Sequence, residues 1–226
     1  MVQDKIEIKR ALISVYDKGG LPALMKRLNP DARGIEIISS GGTAKEIAKL
    51  GYKVIDAGTY TGHPESPDGL VKTLHPKIHA GLLLDPEHIN PKTGQKEHEI
   101  YLREHSIPLI DLFVGNLYPF KKTVEESPGD YEKITEMIDI GGPAMIRAAA
   151  KRHKRVASMV DLSPIYLDLL IEGPTPEAPI STNLLGRLIM ARKAYEHTHN
   201  FDGAIVEFFN GQDLEKMRDW YLGGKK

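Results

Sequence analysis

The chain has 226 residues, with 30 lysines and arginines against 31 aspartates and glutamates, for a formal net charge of −1. That balance gives no global electrostatic case for a nucleic-acid or membrane partner, and the absence of cysteine excludes disulfides, thiolate catalysis and thiolate metal sites. The opening MVQDKIEIKR lacks the apolar run of a signal peptide, no stretch approaches ~20 consecutive apolar residues, and the expectation is a cytoplasmic protein whose core needs no staples.

KRALISV, Lys9 to Val15, reads as a buried strand. Leu21, Leu24, Met25 and Leu28 follow it at the i, i+3, i+4, i+7 spacing of a helix. GIEIIS predicts a second strand, and Thr43 to Leu50 a second helix with Gly51 as its stop. YKVIDA is a third, short strand. Gly58 to Pro76 is too polar and too rich in proline and glycine for a regular element, and so long an irregular segment in a compact domain is usually functional or disordered. Pro76 is expected to open a short helix. After a Pro/Lys/His-rich surface excursion, DPEHINPKTGQKEH, come helix EIYLREHS, strand LIDLFVGNLY, a helix around YEKITEMI, helix PAMIRAAAKRH and strand VASMV. Beyond the loop EGPTPEAP a helical tail is expected from about Ser181, with Ser181 as its N-cap. Strands alternating with helices imply a doubly wound, mostly parallel α/β sheet of about five strands, covered on both faces. The expected organisation is a single domain over residues 1–226, with a core at 9–160 and a helical C-terminal addition at 161–226.

In such sheets ligands sit outside the carboxyl ends of the strands. SVYDKGG, SSGGTAK, the Gly58–Pro76 loop and NLYPFKK each follow a strand, which gathers Ser14, Lys18, Ser40, Thr43, Lys72, Asn116 and Tyr118 on one rim. SSGGT at a helix start fits a phosphate held by backbone N–H groups, with the Ser40 and Thr43 hydroxyls as further donors. It fits a plain turn with a capping threonine equally well, and it is neither G-x-G-x-x-G nor a Walker A sequence. Lys18 stands where a bound phosphate would need a counter-charge, or simply in solvent. His75 and His79 have a spacing that suits a metal on a helix face, but without a third ligand pattern the reading is two loop histidines and no metal. Asp139 precedes two glycines and a helix N-terminus, where the dipole stabilises its ionised form. Arg147 and Lys151 share a face of that helix, and Ala148, Ala149 and Ala150 leave room for close packing or a ligand. A basic solvated face beside a capping aspartate is the plainer reading of this stretch. Together the segments suggest a site for an anionic, phosphate-bearing metabolite, with Asp and Lys available for proton transfer.

SGGTAK, DGLVKTLHPKIHAGLL, NLYPF and IDIGGPAMIRAAAKRH, in that order, resemble the IMP cyclohydrolase domain of the bifunctional purine-biosynthesis family that also carries AICAR transformylase. The likeness runs from ALISVYDKGGL, near Ala11, to about Phe209. It implies a methylglyoxal-synthase-like fold and the closure of 5-formamidoimidazole-4-carboxamide ribotide (FAICAR) to IMP with loss of water, needing no cofactor or metal. By likeness, the 5′-phosphate lies on Ser14, Lys18, Ser40, Gly41, Gly42 and Thr43. Thr73, Asn116 and the backbone of Ile140, Gly141 and Gly142 line the ribose and base pocket, and Lys72, Tyr118, Asp139 and Lys151 are catalytic. Two residues depart from the family pattern: Leu70 replaces an arginine, for which Lys121 or Arg147 could compensate, and Tyr16 replaces a small hydroxyl residue. The tail after FDGAIVEFF reads as a finished helical end with no room for a transformylase domain. The expectation is therefore a naturally separate cyclohydrolase, without transformylase activity, that depends on a separate AICAR-formylating enzyme; a homodimer is left open. Methylglyoxal synthase and a non-catalytic nucleotide sensor share the phosphate cradle and are the rival readings.

Overall fold

The computed structural model describes residues 3–63, 71 and 73–223. Seven strands occur among them: β1 (Ile6–Glu7), β2 (Arg10–Val15), β3 (Glu36–Ser39), β4 (Ile55–Asp56), β5 (Leu112–Asn116), β6 (Ala157–Met159) and β7 (Ser181–Thr182). Five form one sheet in the order β4-β3-β2-β5-β6, every neighbouring pair parallel. Side chains alternate across a strand, and the apolar runs of this sheet feed both faces, as parallel sheets covered by helices require. Leu12, Ile38 and Phe113 enter one core, with Ile78, Leu82, Met145, Ile146 and Ala194. Ala11, Ile13, Ile37, Leu112, Val114 and Met159 enter the other, with Leu21, Leu24, Met25 and Ile47.

The helix expected from the Leu21 spacing spans Leu21–Leu28, and all four of its apolar residues are buried. The second expected helix spans Gly41–Lys49, two residues earlier than the apolar pattern indicated, because Ser40 rather than a later residue takes the extended N-cap conformation. Gly51 follows it with φ at +89°, a left-handed conformation suited to glycine. The Gly58–Pro76 stretch is partly regular, contrary to expectation. Ala57–Thr61 is helical because the Asp56 side chain accepts a hydrogen bond from the Gly58 N–H at 2.8 Å. Pro76 does open a helix, Pro76–Leu83, whose N-cap is His75.

The C-terminal tail needs a second correction. Ser181 is not a helix cap: with Thr182 it pairs antiparallel with Glu7 and Ile6, so β7 and β1 make a small second sheet. The helix begins at Leu184, and Asn183 caps it through a 2.7 Å bond from the Gly186 N–H. This helix runs to Asn210 and packs along both β6 and the Gly141–Lys151 helix. Arg187, fully buried in its first turn, donates to the carbonyls of Gln3, Asp4, His153 and Thr182. The N-terminal strand, the core and the long helix are thus held by one guanidinium. No helix among the described residues is long and apolar enough to cross a membrane.

Candidate active site

Strand order reverses between β2 and β5: the chain proceeds outward through β3 and β4 on one side and through β6 on the other. A crevice forms at such a switch point because the connections leaving the two central strands diverge. A cavity of about 190 Å³ lies there, lined by Ser14, Lys18, Ser40, Gly41, Gly42, Thr43, Asn116, Tyr118, Asp139 and Gly142, all expected from the sequence. Val15, Tyr16, Phe113, Gly115 and Ile146 complete its wall. Adjoining it is a larger opening of about 1170 Å³ that shares Tyr16, Lys18 and Asn116.

The SSGGT stretch supplies a helix N-terminus to this cavity. Gly41 sits at φ +55°, a conformation that costs a residue with a Cβ roughly 1–2 kcal/mol. A Cβ on Gly42 would lie 3.8 Å from the Lys18 ammonium nitrogen, so the lysine stands directly over the glycine turn. Lys18 is the one cation lining the cavity among the described residues, and its ammonium donates to the Tyr16 carbonyl at 3.1 Å. Positive helix end, backbone N–H groups and ammonium together make a site for an anion. Ser40 occupies the N-cap position without making a side-chain capping bond. Thr43 differs from expectation: its hydroxyl accepts from the Val15 N–H at 3.1 Å and donates to the Val15 carbonyl at 2.9 Å. With its only proton given to Val15, the Thr43 hydroxyl ties the helix to β2 and cannot also be a phosphate donor.

Asn116 is likewise a clamp. Its Oδ1 accepts from the Tyr16 and Asp17 N–H groups at 2.7 and 3.0 Å, and its Nδ2 donates to the Asp17 carbonyl at 3.0 Å. The β2 loop that carries Lys18 is therefore positioned by the end of β5. The Tyr16 and Tyr118 rings meet edge to face with centroids 5.0 Å apart, and both remain more than one-third exposed. The substitution at Tyr16 thus builds an aromatic wall with Tyr118, a pairing that no local sequence signal announces.

Across the cavity, Asp139 Oδ1 accepts from the Gly142 N–H at 2.9 Å. Burial pushes its carboxyl above the ordinary value of 3.8, outweighing the opposing hydrogen bonds from Gly142 and Gly141. The expected stabilisation of the ionised form by the helix N-terminus is present but loses to desolvation. The two glycines are there for space, since neither has a positive φ. A Cβ on Gly142 would lie 2.3 Å from Asp139 Oδ2 and 2.7 Å from Leu117 Cδ2, and one on Gly141 would lie 2.5 Å from Thr73 Oγ1. Thr73, nearly buried, therefore abuts the DIGGP turn, while Ile140 is 62% exposed beside it.

Lys151 is not brought to this cavity. It ends the helix that Gly141 begins, so a rise of 1.5 Å per residue puts it about 15 Å from the cavity end of the helix, and it is exposed. Nor do the suggested substitutes for the missing arginine line the cavity: Lys121 is exposed, and Arg147 lies over the Tyr195 ring, 5.6 Å from its centroid. Ala148, Ala149 and Ala150 are buried and serve close packing. Lys72 and Leu70 lie outside the described residues. His75 is occupied as a cap, its Nδ1 accepting from the Lys77 N–H at 3.1 Å, and no cluster of three or more potential metal ligands occurs among the described residues.

Residues 21–144, more than half of the chain, match the family described as the MGS-like domain. The chain belongs to the MGS-like domain family. Among relatives, it is 46% identical over 219 residues to the bifunctional purine biosynthesis protein PurH of Bradyrhizobium diazoefficiens, covering 96% of this chain and 39% of that protein. It is 44% identical to PurH of Rhizobium johnstonii over 222 residues, covering 98% of this chain and 39% of that protein. The chain thus spans well under half the length of the PurH relatives it matches. Among solved structures, that of ForH superposes with a TM-score of 0.69 at 27% identity, covering 89% of this chain and 99% of ForH. The MGS-like fold is that of the five-stranded parallel sheet, and the cavity at its switch point lies between β5, inside the matched segment, and β2, which precedes it.

Proposed function

We propose that this MGS-like domain is an IMP cyclohydrolase, closing FAICAR to IMP. One observation carries the reading: a single cavity sets the Lys18-covered glycine turn, an anion site, opposite a carboxyl whose burial favours its protonated form. The relationship to PurH proteins supports a purine precursor as the substrate. In the reaction the carboxamide nitrogen attacks the formyl carbon, a C–N bond forms, and the formyl oxygen leaves as water with one proton from that nitrogen and one from the formamide nitrogen. Nucleophile and electrophile belong to one molecule, so holding the reactive conformer supplies much of the acceleration. The phosphate on the Gly41–Gly42 turn and the Tyr16–Tyr118 wall would hold that conformer. Asp139 would accept a proton from the attacking nitrogen and deliver it to the departing hydroxyl, a role for which an elevated carboxyl pKa is suited. Lys72 would stabilise charge on the formyl oxygen.

The test is to mix purified protein with FAICAR and follow IMP by absorbance or chromatography. Turnover above the spontaneous rate is expected, and Lys72→Ala should lose kcat by ~10²–10³-fold with little change in KM. No turnover in protein that still binds IMP would support a nucleotide sensor instead.

A further inference from the structure

The segment KAYEHTHNFDGAI contributes one residue to the rim from far along the chain. His197 lies midway along the Leu184–Asn210 helix, and its Nε2 accepts a hydrogen bond from the Leu117 N–H at 3.2 Å. Leu117 separates Asn116, which clamps the Lys18 loop, from Tyr118, which forms the aromatic wall. Its buried side chain also abuts the Gly142 position at the start of the helix whose N–H groups hold Asp139. One peptide therefore touches three parts of the site, and its N–H is fixed by a histidine that lines the adjoining opening and not the small cavity.

We propose that His197 is a positioning residue for the cyclohydrolase site: as a neutral acceptor it fixes the Leu117 peptide, and through it Asn116, Tyr118 and Gly142. This rests on the functional reading above, which supplies the reaction whose geometry is being held. The long helix can carry such a restraint because Ala194, Thr198 and Phe201 around His197 are buried. An acceptor at Nε2 places the ring proton on Nδ1. The imidazolium would have no lone pair for the Leu117 N–H, so protonation breaks the bond. Burial and the Lys193 ammonium hold His197 below its ordinary value of 6.5, against a smaller opposing effect of Asp161. Asp17, Lys18 and Lys122 are the other charged groups lining the opening that His197 faces, with Tyr16 beside them. The neutral form is thereby kept at neutral pH.

The experiment measures amide exchange at Leu117 by NMR, together with FAICAR kinetics, on the full chain as wild type, His197→Leu and His197→Gln. Glutamine keeps an acceptor near the Nε2 position and cannot titrate. For His197→Leu, Leu117 protection and kcat should each fall roughly tenfold, with KM within about twofold. His197→Gln should recover most of both losses and should remove the fall in Leu117 protection that wild type shows below the depressed histidine pKa. Equal behaviour of the two variants, or wild-type protection in His197→Leu, overturns the proposal. Should His197→Leu not fold, the wild-type pH dependence and the Gln variant decide: absence of the acid fall, or lost protection in the Gln variant, overturns it. Absence of FAICAR turnover in wild type would defeat the functional reading alone, since Leu117 exchange still tests whether His197 holds the peptide.

Discussion

The two ends of the parallel sheet use similar residues for opposite purposes. At the amino end, Asp111 Oδ2 accepts from the Lys9 and Arg10 N–H groups at 2.9 and 3.0 Å. Arg155 lies 3.8 Å from the Asp111 carboxylate and donates to the carbonyls of Gly81, Leu82 and Ile110. Arg10 donates to the Leu109 carbonyl at 2.7 Å and pairs with Glu36. These charges are spent on backbone groups and on each other, and they hold β2, β3, β5 and β6 in register. At the carboxyl end, Lys18 and Asp139 face a cavity, and only clamps such as Asn116 and Thr43 are fully engaged. Burial raises the pKa of both Asp111 and Asp139, so a raised carboxyl does not by itself mark a site. What separates the two is whether an anion cradle lies opposite.

The sharpest way to break this contrast is to neutralise one carboxyl at each end. Asp139→Asn should lower kcat for FAICAR by ~10²–10⁴-fold while leaving the melting temperature nearly unchanged. A loss of stability with surviving turnover would move Asp139 to the structural class. Asp111→Ala should do the reverse, leaving the buried Arg155 short of its partner at a cost of about 3 kcal/mol in unfolding free energy. Turnover of the folded fraction should be unaffected, and denaturant melts with kinetics on the same samples check both halves.

The pH dependence sharpens the comparison further. A carboxyl raised by folding stabilises the fold fully below its ordinary value of 3.8, and that contribution is lost as pH rises through the raised value. The difference in unfolding free energy between wild type and Asp139→Asn should therefore shift against wild type as pH rises through that window. His79 and His197, both lowered from 6.5 by burial, act with the opposite sign: their contribution is complete above 6.5 and is lost as pH falls through the depressed values. Melts across pH 3.5–8 of wild type, Asp139→Asn and His197→Gln separate these contributions. The smallest effect is expected at residue 70, where Leu70→Arg should lower KM by a few-fold by adding a cation for the anionic substrate. An unchanged or higher KM would show that the site is not short of charge.

Several of these features are legible in the sequence alone. The apolar spacing from Leu21 to Leu28, the alternation of strand and helix, and the glycine turns at Gly41–Gly42 and Gly141–Gly142 depend on residues close in sequence, and the structure has them. The Leu184–Asn210 helix was legible as a helix, but not its start, because Ser181, Thr182 and Asn183 are all capping types. Only Ile6 and Glu7, brought from the other end of the chain, turn Ser181 and Thr182 into a strand. In the site, residue type pointed to Thr43 and Asp139, while their duties depended on distant partners. The Thr43 hydroxyl belongs to Val15, and Asp139 is governed by burial more than by its helix.

By itself the sequence determined the parallel α/β architecture, the rim on which polar loops collect, and the glycine pairs at two helix starts. These follow from periodicity and from conformational freedom, which are local properties. The tertiary structure decided that Tyr16 meets Tyr118, that His197 reaches Leu117, that Lys18 stands over Gly42, and that Lys151 lies at the far end of its helix from the cavity. Those outcomes turn on which remote segments become neighbours and how much water they exclude, and only the folded chain sets both.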